Sequence, residues 1–247
     1  MRWVCFLSVG LAQSFLSMGA RVQLYQSRFS SPTDAATHGV SFDPTQKAGV
    51  TGFFSWGWNP YLATGIEIGY QGVGQDLYGI GVNSAPYTVQ VKLHYLRTGI
   101  AIQPQYERGV WGLWASISPG FSFLTQSELT YQGDSVLPGN LTTPQVTQTL
   151  LRYLDQSTDP NDRLILTRMY QRGVLSLHFT GGLRIRLAEG VWVLGTLFYE
   201  RSFGDLERKG YTYGKEYTPM YAPGRRPVQY TLTGIQLGVQ YTVGLAR

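Results

Sequence analysis

The chain has 247 residues, of which only 14% are charged and 14% aromatic, with 30 glycines and a formal charge of +5. Ordinary water-soluble domains carry about 25% charged residues, so this composition argues against a typical soluble enzyme. No basic run is interleaved with aromatics, which excludes the usual footprint of nucleic-acid binding.

Residues 1–20, MRWVCFLSVGLAQSFLSMGA, have the layout of a secretory signal. Arg2 gives the positive start, an apolar core follows, and Ser17, Gly19 and Ala20 offer small residues for cleavage. The only cysteine, Cys5, lies inside this leader, so the exported chain has no disulfide framework. The domain expected to remain is residues 21–247.

Eight strands follow in order. The first is expected over 21–29, and a Ser/Thr/Asp/Pro-rich connection comes after it. The second, 48–58, puts Val50, Phe54, Trp56 and Trp58 on one face and Thr51, Phe53 and Ser55 on the other. Asn59 and Pro60 make a tight turn, because proline fixes φ and lacks an N–H for the ladder. The third strand, 62–73, alternates Ile66, Ile68 and Tyr70 with Glu67, Gly69 and Gln71.

The fourth strand, 87–106, shows a phase change: Val89, Val91, Leu93 and Tyr95 alternate first, then Leu96, Thr98, Ile100 and Ile102. A β-bulge near Tyr95 and Leu96, or a strand end beyond the membrane, accounts for it. A tight turn at Glu107, Arg108 and Gly109 leads into the fifth strand. There Trp111, Leu113, Ile117 and Phe121 oppose Gly112, Trp114, Ser116 and Ser118. Period-two alternation of this kind marks a sheet with two chemically different faces.

The sixth strand, 173–187, carries Leu175, Phe179 and Leu183 against Ser176, His178, Thr180, Arg184 and Arg186. The seventh, 191–203, has apolar residues in both sets, so its facing stays open. The eighth, 228–245, presents Ile235, Leu237, Val239 and Tyr241 on one side.

Two- or three-residue links alternate with long ones, as in an up-and-down barrel whose tight turns share one end. A soluble sandwich has no reason to sort its loops this way. The fold class expected is therefore all-β: an eight-stranded antiparallel transmembrane β-barrel.

The longest connection reads as a helical insert, 142–172, in the third external loop. Thr143-Pro144 resembles an N-cap with proline at the first helical position, and Val146, Leu150, Tyr153 and Leu154 follow at helical spacing. Arg152, Tyr153, Arg168 and Arg172 are its candidate residues for binding a ligand or partner.

An eight-stranded barrel has an interior just wide enough for side chains to fill it. Inward-facing Glu67, Arg97, His178, Arg184 and Arg186, with Glu200 a further candidate, therefore need partners across the lumen. Ser176 and His178 share a face, the minimum for a base beside a hydroxyl, but the sequence supplies no third residue to orient the ring. Carboxylate pairs for catalysis and metal-ligand spacings are missing, and neither a cofactor nor an enzymatic activity is expected. The alternatives are a barrel hydrolase acting on lipid or peptide, and a soluble ligand-binding barrel of lipocalin type.

The segments GFFSWGW, TGIEIGYQGVGQDL, HYLRTGIAIQP and SISPGFSFL resemble an outer-membrane barrel family of Bacteroidota that includes PorT-like proteins. They also resemble eight-stranded barrels of the OmpX and OmpA type. The resemblance covers most of the chain. Gly99 departs from its pattern, standing where a proline is common, and so do the last residues, which lack a terminal aromatic. The resemblance implies an outer-membrane location, contact with outer-membrane lipid, and envelope or secretion proteins as partners.

Overall fold

The computed structural model describes residues 14–30, 41–80, 86–133, 136–137, 141–142, 170–206 and 227–244. Eight strands form the wall: β1 (Phe15–Ser30), β2 (Ser41–Asn59), β3 (Leu62–Ile80), β4 (Pro86–Arg108), β5 (Trp111–Gly133), β8 (Gly173–Ala188), β9 (Val191–Phe203) and β10 (Gln229–Gly244). β6 (Val136–Leu137) and β7 (Leu141–Thr142) make a separate two-stranded ribbon. The wall closes in the order β1-β10-β9-β8-β5-β4-β3-β2, every pair antiparallel. Closure through β1 and β10, from Phe15↔Gly244 to Ser30↔Gln229, leaves no strand edge unpaired.

The three short links lie at one end. Asn59 Oδ1 accepts from the Tyr61 N–H at 2.8 Å and fixes the first. Gly109 and Gly190, at φ 66° and 71°, supply left-handed backbone for the other two. The strands are longer than the roughly 9–11 residues a tilted strand needs to cross a bilayer. β4 and β5 have 23 each, so the wall extends past the membrane on the long-loop side.

The outer face is apolar. Val22, Leu24, Ile66, Ile68, Ile100, Ile102, Leu113, Leu183, Leu197 and Leu237 are all exposed there. Trp56, Trp58, Tyr61, Tyr106, Trp111 and Tyr241 ring the turn end of this belt, and Tyr70, Phe123, Tyr199 and Phe203 its loop end. Apolar residues outside, polar residues buried inside and aromatics at both borders are the arrangement of a membrane-spanning barrel. In water such a surface would aggregate.

Several expectations change on contact with the structure. β1 starts at Phe15, so the leader read as 1–20 overlaps the first strand by six residues, all paired with both β2 and β10. Small and apolar residues in this stretch suit a signal tail and a strand equally: Ser17 is buried in the lumen, while Met18 and Ala20 face outward. In β4 the side chains do not change phase. Val91, Leu93, Tyr95, Arg97 and Ala101 all face inward; the interior changes character instead. The register shift between His94 and Tyr95 is present, but the extra residue belongs to the partner, since Tyr95 pairs with Leu124 and His94 with Gln126. The facing of β9 resolves with Trp192, Leu194, Phe198 and Glu200 inward.

No helix occurs among the described residues, and Thr142, the start of the expected helical insert, lies in β7. Residues 143–169 of that insert lie outside the described residues.

Candidate functional site: the braced lumen

The lumen is filled in three storeys. At mid-height, side chains from most of the wall meet in a buried polar network. Arg21 on β1 donates through Nη2 to Glu67 Oε1 on β3 at 2.5 Å, and through Nη1 to Gln236 Oε1 on β10 at 3.2 Å. Arg97 on β4 donates to Glu67 Oε2 at 3.3 Å. Its Nε lies 3.3 Å from Glu200 Oε2 on β9, an ion-pair contact without hydrogen-bond alignment. Gln71 Nε2 and the Tyr230 hydroxyl donate to Glu200 Oε1 at 2.9 and 2.8 Å. His178 Nδ1 is 3.0 Å from Glu200 Oε2.

Charges therefore alternate across the barrel as Arg21, Glu67, Arg97, Glu200, with His178 at the end. Alternation is what makes burial tolerable, because an isolated charge here would bear its full desolvation cost.

The tautomer of His178 follows from its neighbours. Gln236 Oε1 is held by Arg21 and by the Thr196 hydroxyl (3.2 Å), which turns Gln236 Nε2 toward His178 Nε2 at 3.3 Å. An amide N–H needs an acceptor, so Nε2 carries the lone pair and Nδ1–H donates to Glu200. The ring also stacks on Phe198, with centroids 5.2 Å apart.

Arg97 has a second task. The β4–β5 pairing is interrupted between Gly99↔Gly120 and Ile102↔Ile117, a stretch containing Pro119, which has no N–H to give. Arg97 Nη2 donates to the Ser118 carbonyl at 2.7 Å and to its hydroxyl at 3.0 Å. A Cβ on Gly120 would come within 3.1 Å of Arg97 Nη2 and 2.6 Å of the Thr98 carbonyl, so side chains larger than glycine are excluded there.

Toward the turns, the expected network divides. Arg184 is buried, donates to Gln105 Oε1 at 2.9 Å and to Glu107 Oε1, and stacks over Trp192 at 4.8 Å. Arg186, expected in the lumen, sits instead at the rim with its side chain 43% exposed; it reaches Glu107 Oε2 at 3.3 Å and lies 4.6 Å from the Trp192 ring centroid. The strand ends there, so inward phase no longer means burial. Neither arginine joins the central network.

Toward the loops, the interior turns apolar. Tyr25, Phe29, Val73, Val91, Leu93, Tyr95, Tyr170, Val174, Phe198, Leu206, Val228, Tyr230 and Leu232 form one buried cluster. Segments beyond the strands help cap it: the Gln171 N–H donates to the Leu206 carbonyl at 2.7 Å, and the Leu206 N–H to the Val228 carbonyl at 2.9 Å. Tyr230 belongs to both storeys, its ring in the apolar cluster and its hydroxyl on Glu200.

Among the described residues, Ser176 and His178 are not joined as nucleophile and base. Glu200 does orient His178, the third member that the sequence alone does not place. The free ring nitrogen nevertheless faces Gln236. Nucleophile and base must share a hydrogen bond, and here they do not. Among the described residues no group of His, Cys, Asp and Glu is arranged to hold a metal. Of the candidate partner-binding residues, Arg172 is exposed near the loop end of β8, and its carbonyl accepts from the Leu124 N–H at 2.8 Å; Arg152, Tyr153 and Arg168 lie outside the described residues.

Arg21, Gln71, Tyr230 and Gln236 are network members that the sequence reading omits. The His178–Glu200 pair was within reach. Counting back along the hairpin from the 188–191 turn brings the two opposite each other once a one-residue irregularity at Arg186/Ala188 is allowed.

No protein-family model and no curated protein matches the sequence. Among solved structures, the chain is similar to the outer membrane protein OprG from Pseudomonas aeruginosa, with 9% identity over 94% of this chain and 96% of that one, at a TM-score of 0.47. It is similar to Neisserial surface protein A, with 8% identity over 92% and 96% and a TM-score of 0.40. It is also similar to the outer membrane protease OmpT from Escherichia coli, with 8% identity over 94% and 97% and a TM-score of 0.33.

Proposed function

We propose that the protein is a non-enzymatic, non-conducting outer-membrane barrel, a braced scaffold that presents its long loops to other envelope or secretion proteins. The observation that carries this reading is the filled lumen beneath an apolar wall. A polar network and an apolar cluster succeed each other along the axis, which leaves no continuous aqueous path through the described interior. Function then resides outside the lumen, at the wall or on the loops.

The lipocalin-type alternative is opposed by the surface, since such a barrel needs a polar exterior and an open apolar cup. The hydrolase alternative lacks an aligned nucleophile. Membership in the PorT-like group rests on the strand motifs, and a secretion role follows from that resemblance alone. Fractionation tests the core of the reading: the full chain should stay with the outer membrane through an alkaline carbonate wash and leave it only in detergent. Recovery in the soluble periplasmic fraction would sink it.

A further inference from the structure

The outer wall carries a basic patch at the loop-end border of the apolar belt. Arg28 on β1 pairs with Thr231 on β10, and Thr231 pairs with Arg201 on β9. Both arginines are exposed and point away from the lumen. With neighbouring strands about 4.8 Å apart, their Cα atoms are separated by roughly 10 Å, so two guanidiniums can converge on one anionic group between them.

The setting is specific in height. Outward residues on β1 run Met18, Val22, Leu24 and then Gln26 and Arg28. On β10 they run Val239, Leu237, Ile235 and then Thr233 and Thr231; on β9, Leu197 and Tyr199 precede Arg201. Apolar wall gives way to hydrogen-bonding wall on β1 and β10, and on β9 Arg201 stands between the exposed aromatics Tyr199 and Phe203 of the loop-end border.

The setting is also specific in charge. The ion pairs of the described residues lie in the lumen or at the turn rim and involve neither guanidinium. Arg201 Nη2 donates to Gln229 Oε1 at 2.9 Å, a neutral partner that positions the side chain without neutralising it. Asp205, the acidic residue next along the chain, has its Oδ1 on the Val228 N–H at 3.0 Å. The turn rim, by contrast, mixes Arg108 and Arg186 with Glu107 and Glu189.

We propose that Arg28 and Arg201, with Gln26, Gln229, Thr231 and Thr233 around them, form a binding site for the phosphate-bearing headgroup of a lipid in the loop-side leaflet. The inference rests on the membrane-barrel reading above. Guanidinium forks match phosphate oxygens in geometry and charge. Tyr199, directly below Arg201, is placed to lie along the upper part of the acyl region. The site would hold an annular lipid against β1, β10 and β9 and set the depth of the barrel on that side.

The test uses the full chain in phosphatidylcholine nanodiscs doped with bis-phosphorylated lipid A or with its dephosphorylated form. The glycolipid that co-purifies per barrel is counted by native mass spectrometry. The wild type should enrich the phosphorylated form, and the R28Q/R201Q double variant should lose that enrichment by roughly tenfold or more. Both positions face outward, so the barrel itself should be unaffected, as heat-modifiable migration on gels would verify. Equal enrichment in wild type and variant, or no preference in the wild type, overturns the lipid site while leaving the barrel intact. Failure of the wild type to enter any bilayer overturns the barrel reading along with it.

Discussion

The mid-lumen and the loop-end interior are built from the same strands, yet they are held together by opposite physics. At mid-height Arg21, Glu67, Arg97 and Glu200 alternate in sign and bond to one another. A few residues nearer the loops on β1, β3 and β4, Tyr25, Val73 and Leu93 pack with no charge among them. The polar storey lies within the height of the apolar belt, where its buried charges are paired with one another. The upper storey lies where the wall rises past the membrane and its interior resembles an ordinary protein core. Inward-facing residues of one barrel therefore do not share one chemistry; height decides it.

The two storeys should break differently. The largest effect is expected for Glu67→Gln, which leaves Arg21 and Arg97 facing each other without their shared carboxylate. Loss of one partner from a buried ion network costs about 3–5 kcal/mol, measurable by urea unfolding in detergent or lipid. A loss under about 1 kcal/mol would mean that water screens the network as it does a surface pair. Leu93→Ala, in the apolar storey, should cost about 2–4 kcal/mol through the cavity it leaves, with no dependence on salt. Tyr230→Phe sharpens the contrast, since it removes only the hydroxyl that reaches Glu200 at 2.8 Å and keeps the ring. About 1.5–3 kcal/mol should be lost. In a double-mutant cycle Y230F should couple to a substitution of Gln71, whose amide shares Glu200 Oε1, and not to one of Phe29. Equal coupling to both would erase the distinction between storeys.

The belt was readable from sequence because period-two alternation is a local property: Ile66, Ile68 and Tyr70 opposite Glu67, Gly69 and Gln71 already separate the two faces of β3. Loop sorting gave the strand count and direction by the same kind of local evidence. Network partners were only partly readable. Where a tight turn fixes register, as between β8 and β9, His178 and Glu200 can be brought opposite each other by counting. Arg21 and Glu67 are joined across β2, and the long 31–40 connection carries no register information, so their bond is invisible until the barrel closes. Arg21 was further hidden by standing at the edge of a stretch that reads equally as a leader. The apolar storey showed only as an apparent phase change in β4, for which a bulge and a strand end beyond the membrane both stayed open, because alternation reports which residues share a face and not what fills the space beyond it.

Electrical recording on the full chain inserted in a planar lipid bilayer probes both the membrane barrel and its closed, braced lumen. Insertion without conductance steps is expected in symmetric salt. Stable open-channel currents through the wild-type protein would contradict it.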